Sequence, residues 1–340
     1  MSLDVRVNLY RYGLTRFTIS ILIKTRLKMD LNLKPKYRRA DYTEPFSFHE
    51  PPTTSCQEMV GLRTNDTSTD VGYPNETYAF IKKLTDGSAS TIHMGKNVET
   101  GQKVIIKMIS KRDEWRQELG ILKELSDSDT GRLLKYVDYF ESQRSSYIVT
   151  EFYDGSDLFE HIDINVPYSE KDAYKLMLEM CMCLKECHDK GVVHLDLKAE
   201  NFMVKKDHLF ENGKIETGNV VLIDFGHAEK TREDESIEDL RIGYNYGTVF
   251  YICPEGYQKV FSSKSDIWSL GILFSLLLTG DYPFVGNEQE YMWNSMQHNI
   301  NLSKPVSQRS NLILDICLNV DPTKRPSLDQ LIKSLEGGLK

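Results

Sequence analysis

The stretch that most narrows the choice of fold is His194-Leu195-Asp196-Leu197-Lys198-Ala199-Glu200-Asn201. It packs a carboxylate, an ammonium and an amide into one short turn, with a helical pattern before it and two short apolar runs after it. A second carboxylate follows at Asp224, in Asp224-Phe225-Gly226. Together these groups meet the needs of phosphoryl transfer. One carboxylate orients a hydroxyl nucleophile, a cation meets the γ-phosphate, and two oxygen ligands hold Mg²⁺.

The rest of the chain has room for such a site. Its 340 residues suffice for one domain or two lobes, and 40% hydrophobic with 27% charged residues is ordinary for a soluble globular protein. The net charge of −8 argues against nucleic acid as the main partner. It is unevenly spread. Residues 1–39 carry ten Lys/Arg against Asp4 and Asp30, a balance of +8, which leaves −16 on the remainder. That basic segment holds an apolar island, Phe17 to Ile23, too short to span a bilayer and without a cleavage site; it reads as a solvated basic tail rather than a mitochondrial presequence. Residues 40–76 are polar and turn-rich and predict a disordered linker. Asn65-Asp66-Thr67 and Asn75-Glu76-Thr77 match the glycosylation pattern, by chance in a chain that otherwise reads as cytosolic. The six cysteines show no disulfide spacing; Cys181, Cys183 and Cys187 read as a half-buried helix face rather than a metal cluster.

From Tyr78 the pattern becomes regular. Tyr78–Leu84, Ile92–Lys96, Val104–Ile109, Tyr136–Phe140 and Tyr147–Phe152 predict five strands, and Glu114–Leu125 predicts a helix with Leu119, Leu122 and Leu125 on one stripe. From Asp157 onward helices dominate. Ser169 is placed to cap one whose stripe is Ala173, Leu176, Met180, Leu184 and Cys187, with Gly191 past its end. The apolar run Ile267–Leu278 is too short for a membrane and predicts a buried core helix; Ser327–Leu335 predicts the last one.

The motif H-x-D-x-K-x-x-N followed by Asp-Phe-Gly resembles the eukaryotic protein kinases, Ser/Thr branch, and its His-Leu-Asp variant resembles the myosin-light-chain and death-associated group. The resemblance covers residues 77–336 and implies an α+β, bilobal fold. A small, mainly β lobe with one helix occupies 77–152 and a larger helical lobe 157–336, after an extension over 1–76. It implies that Lys107, in Val104-Ile105-Ile106-Lys107, meets the α/β-phosphates of ATP with Glu118 as its partner. It implies Asp196 as catalytic base, Lys198 at the γ-phosphate, and Asn201 and Asp224 as Mg²⁺ ligands. Leu84, Ile92, Ile105 and Met203 would enclose the adenine beneath the gatekeeper Thr150; Glu151 and Tyr153 would offer it backbone groups, and Asp157 would meet the ribose.

Several positions depart from the family pattern. Of three loop glycines only Gly87 remains, in Thr85–Ile92; Ile105 replaces a small Ala; and the interval from Lys107 to Glu118 is short. Leu195 replaces the Arg that normally pairs with an activation-loop phosphate, so activity is expected not to depend strongly on such phosphorylation. Gly247-Thr248-Val249-Phe250-Tyr251 matches the Ser/Thr branch, Cys253-Pro254-Glu255 stands for A-P-E, and Glu255 is expected to pair with Arg325. Asp266–Gly271 resembles the family's central anchor helix, and the insertion Leu209–Gly218 reads as an enlarged hairpin. The resulting expectation is a monomeric, cytoplasmic or nuclear, Mg-ATP-dependent protein Ser/Thr kinase. Acidic residues (Asp157, Glu160, Glu200, Glu233, Asp234, Glu235) face either basic substrate residues or solvent. No nucleic-acid or membrane partner is expected. The alternative is a pseudokinase scaffold of the same fold.

Overall fold

The computed structural model describes residues 74–86, 90–110, 115–128, 130–165, 168–205, 218–232, 234–239, 241–242 and 247–339. Gly87, Glu233, most of the 209–218 insertion and the basic and turn-rich segments up to residue 73 lie outside these.

Five antiparallel strands form the first sheet: β1 (Tyr78–Asp86), β2 (Ser90–Asn97), β3 (Lys103–Ser110), β4 (Tyr136–Glu141) and β5 (Ser145–Glu151), in the order β1-β2-β3-β5-β4. Helix α1 (Arg116–Leu125) connects β3 to β4. Strand β3 opens on the continuous apolar run Val104-Ile105-Ile106, so alternation there cannot assign its faces, but its packing does. Val104 and Ile106 join Tyr78, Tyr147 and Val149 in a cluster on one face. Ile105 and Lys107 therefore point to the other, where Ile109 and Ile148 join the main core.

Residues after the first sheet build the second lobe. Helices α2 (Leu158–Asn165), α3 (Glu170–Asp189), α4 (Ser263–Thr279), α5 (Glu288–Met296), α6 (Gln308–Cys317) and α7 (Leu328–Leu339) surround short strands. Three of these, β6 (Gly155–Asp157), β8 (Phe202–Lys205) and β9 (Val220–Leu222), form one sheet. Two-residue strands pair β7 (Val192–Val193) with β10 (Glu229–Lys230), and β11 (Arg241–Ile242) with β12 (Val260–Phe261).

The local signals act as physics requires. Ser169 accepts from Asp172 N–H at the start of α3, whose apolar stripe is fully buried. Gly191, at φ +70°, turns the chain out of α3; a Cβ there would lie 2.6 Å from Thr231 Oγ1. Helix α4 is buried along its whole length and held at its N-terminus by a capping box between Ser262 and Ser265. The last helix runs four residues past the expected Leu335, to Leu339. Among the described residues no helix is long and apolar enough to cross a membrane. Cys181, Cys183 and Cys187 are buried free thiols, and burial pushes each thiol up.

Candidate active site

The first part of the site is the row of side chains on the inner face of the first sheet. Register sets Ile92 and Ile148 opposite Lys107, and Met94 and Thr150 opposite Ile105. Cross-strand neighbours share a face, so Ile92, Ile105, Lys107 and Thr150 form one patch. Thr150 is buried at 4% exposure, while Ile92 and Ile105 are half-buried. Leu84 sits in the β1 register shift between Lys83 and Thr85 and is 45% exposed. Glu151 ends β5, and Tyr153 turns its hydroxyl toward Leu133 O. Gly155 lets β6 lie against β8, where a Cβ would meet Val204 O at 2.0 Å, and that pairing puts Asp157 opposite Met203. Asp157 Oδ1 accepts from Glu160 N–H at 2.8 Å, so this carboxylate caps α2, and burial pushes it up.

Lys107 joins this patch to the second lobe. Its Nζ lies 2.7 Å from Glu118 Oε1 and 3.0 Å from Asp224 Oδ1. The short interval in sequence thus costs α1 length, ten residues in all, but not the pairing. Burial pulls the ammonium down, yet the two carboxylates outweigh it and raise the Lys107 pKa above the ordinary lysine value. Burial likewise pushes Asp224 up, but the Lys107 ammonium, its hydrogen bond and the Gly226 N–H overcome it and hold the carboxyl at about 2. Burial pushes Glu118 up; Lys107 pulls against it and Asp224 adds to the push.

The second part is the turn that dominates the sequence. Asp196 is 5% exposed and Asn201 4%. Lys198 Nζ donates to Asp196 Oδ2 at 2.6 Å and to Thr248 Oγ1 at 3.2 Å, while the Thr248 hydroxyl donates to Asp196 Oδ1 at 3.0 Å. Asn201 Nδ2 donates to Asp196 O at 2.8 Å.

What holds the turn is not adjacent in sequence. Asp266, on α4 and 1% exposed, accepts from His194 N–H and Leu195 N–H, each at 2.9 Å, and lies 2.8 Å from His188 Nε2. Between those two amides Leu195 adopts φ +64°, a left-handed conformation that a leucine holds only when its surroundings impose it. His194 is fully buried. Its Nδ1 accepts from Asp196 N–H, so its proton sits on Nε2, which donates to Ile223 O. Burial pushes this imidazole down, which keeps it neutral. One neutral ring thereby ties the turn to the residue before Asp224.

The structure brings Lys107, Glu118 and Asp224 into one group and Asp196, Lys198 and Asn201 into another; Gly87 lies outside the described residues. Sequence reasoning gave no structural part to Thr248, His194 or His188. A charged residue at the head of an otherwise apolar helix, Asp266 before Ile267–Leu278, was the available signal for the fourth. The expected Glu255–Arg325 pair is present and bidentate at 2.7 Å on each side, with Arg325 stacked over Trp268.

A family model described as the protein kinase domain matches residues 78–335. This chain belongs to the protein kinase family. Among curated relatives of this kinase-family chain is calcium-dependent protein kinase 5 of Plasmodium falciparum, 29% identical over 313 residues, covering 89% of this chain and 49% of the relative. A CDPK-related protein kinase of Daucus carota is 30% identical over 246 residues, 68% of this chain and 38% of the relative. The ovarian-specific serine/threonine-protein kinase Lok of Drosophila melanogaster is 29% identical over 309 residues, 83% of this chain and 61% of the relative. The chain therefore spans about half the length of the curated relatives it matches. Kinases of this family use ATP and Mg²⁺ and act on protein substrates.

Proposed function

We propose that this chain transfers the γ-phosphate of Mg-ATP to serine or threonine hydroxyls of protein substrates. The observation that carries the proposal is Lys107 bonded at once to Glu118 and to Asp224, because it draws the nucleotide-side cation and a metal-type carboxylate together from opposite ends of the fold. The match to Ser/Thr kinases supports the same reading.

In this mechanism Lys107, oriented by Glu118, binds the α/β-phosphates. Ile92, Ile105, Met203 and Leu84 enclose the adenine, Glu151 and Tyr153 offer it backbone groups, and Asp157 reaches the ribose from its place at the head of α2. Asp196 accepts the hydrogen bond of the incoming hydroxyl and takes its proton as that oxygen bonds the γ-phosphorus, whose bond to the β,γ-bridging oxygen breaks so that ADP leaves. Lys198 moves its charge toward the transferred phosphoryl, and Thr248 keeps Asp196 oriented. Asn201 spends its N–H on Asp196 O, so its amide oxygen is the atom it offers a cation. Asp224, ionised at about 2, has Oδ1 committed to Lys107 and Gly226 N–H, which leaves Oδ2. Two hard oxygen donors of this kind fit Mg²⁺, which they would hold there and which would supply positive charge to the nucleotide's phosphates.

Glu200 supports a preference for basic residues before the acceptor. Its Oε2 is buried without a partner, and burial pushes the carboxyl up, a state that an incoming arginine would relieve. We place the chain in the cytoplasm or nucleus on its cysteine usage; a tagged chain found in mitochondria would overturn that.

The test is phosphate transfer from Mg-ATP to a basic peptide and to the same peptide without its arginines. Wild type is run beside Asp196→Asn and Lys107→Met. Transfer by wild type alone, to Ser or Thr, is the expected result. Absence of both transfer and nucleotide binding would replace it with a scaffold role. Equal rates on the two peptides would remove the part given to Glu200.

A further inference from the structure

Glu118 can hold Lys107 only while α1 keeps its rotation about its own axis. The N-terminal end of the helix does little to set that rotation. Trp115 gives no side-chain cap; it stacks on Tyr139 at 4.8 Å, and Leu119, Ile121, Leu122 and Leu125 bury one face of the helix by apolar contact. The directional contacts lie on another face. Gln117 and Glu124 are two helical turns apart and so project on the same side. Gln117 Nε2 donates to Ala228 O at 2.9 Å. Lys230 Nζ bonds both oxygens of Glu124, at 2.6 Å to Oε2, and Lys190 Nζ donates to Glu124 O at 2.7 Å.

Ala228 and Lys230 flank Glu229 in or beside strand β10, a few residues after Asp224-Phe225-Gly226. β10 pairs with β7, Glu229 opposite Val193 and Lys230 opposite Val192, and Thr231 N–H extends the pairing to Gly191 O at 2.8 Å. β7 in turn runs straight into His194 and Asp196. A two-residue strand thus touches the helix of Glu118 on one side and pairs on the other with β7, the strand that leads into the turn of Asp196.

We propose that Lys230 and Glu124 are positioning residues of the nucleotide pocket, a charge clasp through which β10 sets the rotation of α1 and keeps Glu118 on Lys107. When β10 is paired with β7, the clasp is closed and both halves of the site are in register. When the segment after Asp224 peels away from β7, Lys230 and Ala228 O leave α1 together, and Lys107 loses its oriented partner. The clasp couples the segment to the helix through this ion pair, with the Gln117–Ala228 O hydrogen bond beside it. It rests on the kinase reading for its effect on catalysis but not for its effect on α1.

The test compares Lys230→Ala, Glu124→Lys and the exchanged pair Glu124→Lys/Lys230→Glu. An exposed ion pair of this kind is worth up to a factor of about five in an equilibrium. Lys230→Ala should therefore lower kcat/KM for ATP about threefold to fivefold. Glu124→Lys, which sets two ammoniums together, should lower it about tenfold, and the exchanged pair should return to within about twofold of wild type. The loss should fall on the ATP terms, leave the KM for peptide unchanged, and shrink in high salt. Hydrogen exchange over residues 116–125 should quicken in both single variants and recover in the exchanged pair. An exchanged pair as impaired as Glu124→Lys, or unchanged exchange of α1 in Lys230→Ala, would overturn the proposal. Should wild type transfer no phosphate, the kinase reading fails, and hydrogen exchange alone decides the clasp.

Discussion

Replacing Asp266 by asparagine probes how the reactive turn is held. The carboxylate accepts two backbone N–H groups, from His194 and Leu195, and faces His188 Nε2, all while 1% exposed. Asparagine keeps the shape but only one of its two terminal atoms accepts, so one buried N–H loses its partner and meets an NH₂ group instead. An orphaned buried donor costs about 1–3 kcal/mol, and bonds to an ionised acceptor lie at the upper end of that range. Leu195 at φ +64° stores about 1–2 kcal/mol of backbone strain that the two bonds to Asp266 hold in place, so weakening them lets the turn shift rather than adding to the loss. A loss of about 1–3 kcal/mol follows, which for a domain of this size lowers Tm by roughly 2–12 °C. Transfer should fall more than tenfold at temperatures where the variant is still folded, since Asp196 follows Leu195 directly. The assay pairs a thermal melt with phosphate transfer to peptide. A Tm within about 2 °C of wild type together with unchanged transfer would show that neither bond restrains the turn, and the reasoning would be wrong.

Two further outcomes follow from the same contacts. Leu195 stands where the family has an arginine and packs in an apolar cluster with Val193, Phe261 and Ile237, so it offers a phosphate no charge, and complete phosphatase treatment should leave transfer unchanged; its loss would refute this. Asp224 has its carboxyl depressed from an ordinary 3.8 to about 2. A depressed carboxyl contributes stability above its unfolded value, near 3.8, and loses it as pH falls toward 2. Wild type should therefore lose Tm more steeply than Asp224→Asn between those two values, though modestly, because the side chain is 39% exposed. Parallel melting curves across that window would refute the assignment.

The candidate site groups could be picked out because each is tied to a short motif whose residue types phosphoryl transfer would demand. The helices were legible because period and caps are local: Ser169 before α3 is an N-cap whatever the rest of the chain does. The five strands were found from their β-branched and aromatic runs, with ends off by one or two residues, as at β5, which begins at Ser145. Glycine-loop and insertion positions such as Gly87 fall outside the described residues, and the sequence-based reading of them stands as an expectation.

By itself, then, the amino-acid sequence pointed to a chemistry and determined in what order along the chain the elements occur, since motif, period and capping all act over a few residues. It did not determine which face of β3 looks into the cleft, because Val104-Ile105-Ile106 has no alternation to read; packing of Val104 and Ile106 against Tyr78 and Val149 decided it. Nor did it determine that Asp266 would hold the backbone of Leu195, that Asp224 would reach Lys107, or that Lys230 would reach Glu124. Those contacts join residues far apart in the chain. Each depends on the distance and direction between two groups, and these exist only once the helices and strands between them have packed.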